Sequence, residues 1–237
     1  MTDEQDRSTD QAEQRAADEA EQIASEATEV RERVRDTFVK TVGERRVQLN
    51  DLADLADQMF QGAISGIEKS TPQDEENVLR QVVDGLSDGL SSAANATRLA
   101  FEEARSRGEA FAKEDVDRAI RDLRELEQQF TETIWGAMKR AGRETGEQAK
   151  SLFEHTQRTA SHMRPILDSA IEAARQHPVE FAGETAKASV KAGAHAAGML
   201  LQSVSGLLQG AGDVLTGAGS EKRSDESSER DDNSPRQ

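Results

Sequence analysis

"VLRQVVDGLSDGLSSAANATRLAFEEA", residues 78–104, decides the fold. Leu79, Val82, Leu86, Leu90, Ala93, Thr97, Ala100 and Ala104 recur at intervals of three and four residues. That spacing places them on one face of an α-helix. Upstream, "KSTPQDEENV" supplies a start: Thr71 suits the N-cap, Pro72 the first turn, and the acids after it complement the helix dipole. Downstream, "RSRGEA" supplies a stop, with Gly108 suited to the left-handed C′ position.

The same periodicity extends in both directions. Ile23, Ala27, Val30, Val34 and Phe38 form one stripe, with Gly43 placed to interrupt it. Leu49, Leu52, Ala56, Met59, Ala63 and Ile67 form the next. The longest run carries Val116, Ile120, Leu123, Leu126, Phe130, Ile134, Ala137 and Ala141. After Gly142 and Gly146 it resumes with Ala149, Leu152, Thr156, Ala160, Met163, Leu167, Ala170 and Ala174. An unbroken helix from Lys113 to Arg164 would be roughly 78 Å long at ~1.5 Å per residue. Pro165 is expected to kink or divide it. His177 precedes Pro178 and is pushed out of the α region, so the helix ends there and Pro178 can open a final one.

These spacings predict an all-α protein: an elongated bundle of long amphipathic antiparallel helices with narrow apolar seams. No run of alternating β-branched or aromatic residues predicts a strand. Residues 1–18 and 220–237 are charged and nearly free of large apolar side chains, so both are expected as disordered acidic tails. Residues 19–177 read as the bundle and 178–219 as a Gly/Ala/Leu-rich amphipathic C-terminal helix.

Composition narrows the function. Apolar residues make up 35% of the 237 and aromatics 3%, too few for a thick core. The net charge of −16 argues against nucleic acid, which is bound by Lys and Arg displacing counterions. The chain has no Cys, which removes disulfides and thiolate metal sites. The polar N-terminus "MTDEQDRSTD" lacks the features of a signal peptide, so a cytoplasmic location is expected.

One segment stands apart. "AAGMLLQSVSGLLQGAGDVLTGAG", Ala196 to Gly219, holds a single charged residue, Asp213. In heptad register Ala194, Leu201, Leu208 and Leu215 fall at position a, and Val190, Ala197, Val204 and Ala211 at d. Leu200, Leu207 and Val214 flank that seam, while His195, Gln202, Gln209 and Thr216 lie off it. The glycines, each costing a helix ~1 kcal/mol relative to Ala, make it a poor helix alone. Its polar residues argue against a transmembrane span. Three readings stay open: a span, a helix packed on the protein's own helices, or a reversible contact with a granule surface, a lipid surface or another subunit. The candidate interaction surface is Leu200, Leu201, Val204, Leu207, Leu208 and Leu215.

Small residues recur four apart at Gly85, Gly89 and Ala93, at Gly62 and Gly66, at Gly142 and Gly146, and at Gly206 and Gly210. That interval permits close helix packing, within the protein or between copies. His155 and His162 lie ~10 Å apart along a helix, too far to share a metal ion. Trp135, the only Trp, reads as a packing anchor. No nucleophile, base, metal or cofactor motif converges, so no catalytic residue, cofactor or metal is expected and the protein reads as a non-enzyme.

From Val82 to Ile134 the chain resembles a family of uncharacterised bacterial helical proteins. The matching elements are "GLSDGL" (85–90), "LAFEEA" (99–104), "FAKEDV" (111–116) and "LRELEQQF" (123–130). "SVSGLLQGAGDVLTG", Ser203 to Gly217, resembles that family's small-residue C-terminal helix. The resemblance implies a helical fold and no established activity. In composition the chain is also similar to phasins, which coat polyhydroxyalkanoate granules, although it carries no phasin signature motif. Two functions are therefore expected in order. The first is an amphipathic coat or adaptor on an apolar granule or lipid surface. The alternative is a soluble homo-oligomeric scaffold or partner-binding module.

Overall fold

Among the described residues the apolar stripes fold into helices that pack against one another. The computed structural model describes residues 2–44, 51–108 and 110–180. Six helices occur in these residues: α1 (Thr2–Glu26), α2 (Val30–Glu44), α3 (Asp51–Ser70), α4 (Glu75–Ser106), α5 (Lys113–Arg140) and α6 (Gly146–Arg175). Two short strands, β1 (Phe111–Ala112) and β2 (Val179–Glu180), pair in parallel. The fold is all-α. The expected C-terminal helix, its interaction surface, Gly206, Gly210 and the tail from 220 lie outside the described residues, as does Leu49.

Several boundaries differ from the sequence reading. The N-terminal tail expected over residues 1–18 is occupied by α1, with Ala12 and Ala16 buried. The apolar side chains there are alanines, which carry little hydropathy but allow close approach. The single stripe from Ile23 to Phe38 is broken at Ala27 and Glu29, both left-handed (φ 51° and 48°), and Ala27 is exposed. Thr71 does not cap α4. It is itself left-handed (φ 44°) and donates its N–H to Ile67 at the end of α3. Asp74 is the N-cap, accepting from the Asn77 N–H at 3.1 Å.

The long run divides at Gly142 and Gly146 (φ 65° and 91°), so these two glycines turn the chain instead of packing helices. Pro165 sits inside α6 without ending it. It is exposed, so the carbonyl deprived of its donor can be solvated. Gly108 follows α4 at φ 71°, as expected. Beyond Pro178 the chain enters β2 instead of a helix.

Consecutive helices form hairpins, and the hairpins stack. Along α5 and α6, Glu127 meets Arg164 and Trp135 meets Phe153, so the two are antiparallel. Between hairpins the direction is shared. Glu13 and Glu21 of α1 reach Gln58 and Lys69 of α3. Arg31 and Phe38 of α2 meet Gly85 and Gly89 of α4. Arg80, Asp84 and Arg105 of α4 bond Ser151, His155 and Gln176 of α6. Odd-numbered helices thus make one layer and even-numbered helices the other, each parallel within its layer. Such a stack buries its apolar faces repeat against repeat.

α4 lies at the centre. The expected stripe is buried, and so are Val78, Gly85, Gly89 and Ala96, which α4 turns toward a second neighbour. The core includes Phe38, Phe60, Phe101 and Phe130, all fully buried. Each such side chain contributes roughly 1.5–3 kcal/mol. Gly62 and Gly66 let α3 meet the α1 backbone at Ala17 and Glu21. A Cβ at Gly89 would lie 2.6 Å from the Phe38 ring.

Candidate functional site

Because α2 and α6 both pack on α4, a groove opens between them, with a cavity of about 700 Å³. Arg31 and Arg35, one turn apart, project from α2. Asp84, Ser87, Asp88 and Ser91 rise from α4 at spacings of three and four. His155, Arg158, Thr159 and His162 come from α6 at the same spacings. Helical geometry alone places each set on one face. The stacking of the hairpins brings the three sets together.

Two hydrogen-bonded clusters organise the groove. Arg31 grips Asp88 with two hydrogen bonds, Nε at 2.7 Å and Nη2 at 3.1 Å. The Asp88 carboxylate raises the Arg31 pKa above its ordinary value, with Asp84 and Glu32 adding to the effect and burial opposing it. Across the floor, Asp84 Oδ1 accepts from Thr159 at 3.0 Å and lies 2.9 Å from His155 Nε2. Thr159 Oγ1 also lies 3.5 Å from His155 Nε2. Arg35 bonds its neighbour Asp36. Arg158 donates to the Glu154 carbonyl oxygen at 3.3 Å. The groove is thus lined by charged and hydroxyl side chains, several of them paired with one another.

The residues singled out in the sequence are distributed as follows. Gly85, Gly89 and Ala93 are buried along α4, the two glycines against α2. His155 and His162 share the groove, although only His155 meets Asp84. Trp135 is half-buried, its ring 5.0 Å from Phe153 and 5.9 Å from Lys139 Nζ. Sequence reasoning missed Arg31, Arg35, Asp84, Asp88, Arg158 and Thr159. In a chain this rich in charge, a turn-spaced charged pair is no signal by itself.

Among the described residues no group of three or more His, Cys, Asp or Glu could hold a metal ion. No described helix is long and apolar enough to cross a membrane.

Fold and groove define an all-α protein of stacked helical hairpins. The chain belongs to the family of unknown function DUF6781, which matches residues 6–217. No curated protein and no solved structure matches it.

Proposed function

We propose that this protein is a non-enzymatic binding scaffold whose stacked hairpins present the α2/α4/α6 groove to a partner protein or a second copy of the chain. The observation that carries this reading is the groove itself. Ionic and hydroxyl side chains from three helices are assembled there. Stacked helical repeats characteristically bind along such surfaces. Replacing Arg35 and Arg158 with Glu reverses charge on both walls while leaving the Asp84–His155 contact in place. Proteins that co-purify with the wild-type chain, or self-association seen by sedimentation, should then be lost. Unaltered association in that variant would remove the groove from consideration.

A second reading is an amphipathic, phasin-like coat or adaptor acting in the cytoplasm on a granule or lipid surface. The stripe of Leu200, Leu201, Val204, Leu207, Leu208 and Leu215 favours it. The described helices spend their apolar faces on one another, so a contact with an apolar surface would fall to this segment. Co-sedimentation with granules or lipid droplets, lost on replacing Leu201 and Leu208 together with Ser, is the expected result. Retention in the soluble fraction of wild-type protein counts against it.

A further inference from the structure

The chain carries 46 acidic residues against 30 lysines and arginines, yet the lining of the α2/α4/α6 groove reverses that balance. Three arginines, Arg31, Arg35 and Arg158, stand there with two aspartates, Asp84 and Asp88. Both aspartates are engaged by groove residues. Arg31 holds Asp88 through two hydrogen bonds, while Thr159 and His155 meet Asp84. The guanidiniums of Arg35 and Arg158 are left with no carboxylate of the groove lining to bind.

Helix register shows where those two guanidiniums lie. Arg80 meets Ser151, Asp84 meets His155 and Arg105 meets Gln176, each pair 71 residues apart. The same offset sets Ser91 of α4 level with His162 of α6, and Ser87 level with Arg158. On α2, Arg35 follows Arg31 by one turn, as Ser92 follows Asp88 on α4, so Arg35 borders the serine end as Arg31 borders Asp88. Among the described residues no carboxylate lines the groove beyond Asp88. Arg35 bonds the neighbouring Asp36, whose side chain is 60% exposed. An exposed pair of this kind contributes little, so Arg35 is free to change partner. Arg158 spends its Nε on the Glu154 carbonyl, and its two terminal nitrogens have no partner among the described residues.

We infer, resting on the scaffold reading of this groove, that its Ser91–Ser92 end receives a carboxylate-bearing stretch of a partner protein. Arg35 of α2 and Arg158 and His162 of α6 flank the bound acid, with the serine hydroxyls beneath it. A guanidinium matches a carboxylate in shape and charge, donating two parallel hydrogen bonds to it. All four helical positions lie inside helices, where backbone N–H groups are committed to carbonyls one turn back. The site therefore lacks the free N–H groups with which helix termini cradle phosphate, and side-chain donors alone favour a carboxylate. From His155 to Ile166 the lining runs ~16 Å along α6, a length suited to a polypeptide passing through. The chain's net charge of −16 repels an acidic ligand elsewhere, which confines recognition to this end.

The test is fluorescence anisotropy on the full-length chain with two labelled peptides, one rich in Glu and its counterpart with Gln at every Glu. The Glu peptide should bind the wild-type chain about tenfold or more tightly than the Gln peptide. Arg35→Gln with Arg158→Gln should abolish that preference, whereas Arg124→Gln with Lys139→Gln, which removes the same charge from α5, should keep it. All four residues are at the surface, and an unchanged far-ultraviolet helix signal checks that each variant folds. Equal binding of the two peptides, equal loss in both variants, or displacement of the Glu peptide by inorganic phosphate at matched ionic strength would each overturn the assignment. If proteins that co-purify with the wild type are lost from the Arg35→Glu, Arg158→Glu variant while no Glu peptide binds, the groove remains a docking surface and the acidic partner falls. Unaltered association in that variant removes both.

Discussion

Gly66 of α3 lies against the Glu21 carbonyl of α1 so closely that a Cβ on Gly66 would overlap the Glu21 oxygen. One turn earlier Gly62 stands in the same relation to Ala17. The joint between the first two hairpins is thus built from backbone against backbone, with Ala12, Ala16 and Ala20 buried along it.

Gly66→Ala should therefore destabilise the protein although alanine is the better helix former. Propensity favours the change by ~1 kcal/mol, whereas overpacking costs about 1–3 kcal/mol, and here backbone, not a flexible side chain, must move. Urea unfolding should show a net loss. A gain close to the propensity value would mean that α1 and α3 separate freely.

Gly89 and Phe38 form the corresponding joint between α4 and α2, but there the obstacle is a ring. Gly89→Ala should cost about 1–3 kcal/mol. Phe38→Leu in the same chain should recover part of that loss. A double-mutant cycle measures the coupling, and strict additivity would exclude direct contact.

The turns store backbone strain. Thr71 is β-branched and left-handed, and Ala27 and Glu29 share that conformation. Thr71→Gly should stabilise by up to ~1 kcal/mol, because glycine adopts positive φ without steric cost. Asn77→Gly, inside α4, serves as the contrast and should destabilise by about 0.3 kcal/mol. Thermal unfolding of the two variants checks the pair.

Asp54 provides a pH dependence. Burial first, then the charges of Glu13, Asp51 and Asp57, raise its pKa above the usual Asp value. The folded state thus holds this proton more tightly than the unfolded state. Stability falls as pH rises from the unfolded value through the raised one, and the cost is fully present at neutral pH. Asp54 is exposed, so solvent screens this repulsion, and Asp54→Asn should raise Tm at pH 7 by less than about 1 °C. That gain should shrink as pH drops through the raised pKa and vanish below ~3.9, where the unfolded-state carboxyl is protonated too. A Tm loss at pH 7 would show that Asp54 makes a favourable contact outweighing this repulsion.

By itself the sequence determined that the segments from Leu52 to Ala174 are helical and where several of them stop. The spacing of Leu79, Val82, Leu86 and Leu90 fixes the inward face of α4, and Gly108 and His177–Pro178 mark ends through local backbone chemistry. Those signals are short-range, so one chain segment suffices to read them. The hairpin break at Ala27–Glu29 was not legible, because no Gly or Pro marks it and tertiary packing holds two ordinary residues left-handed. Nor was the role of α1, whose alanines carry almost no hydropathy until glycines on α3 come to meet them. Periodicity states which face of a helix is apolar but not which other helix covers it. Only the tertiary structure decided that alternate helices run parallel. From that one arrangement follow the two layers, the central place of α4, and a groove that joins Arg31 to His155 across more than a hundred residues of chain.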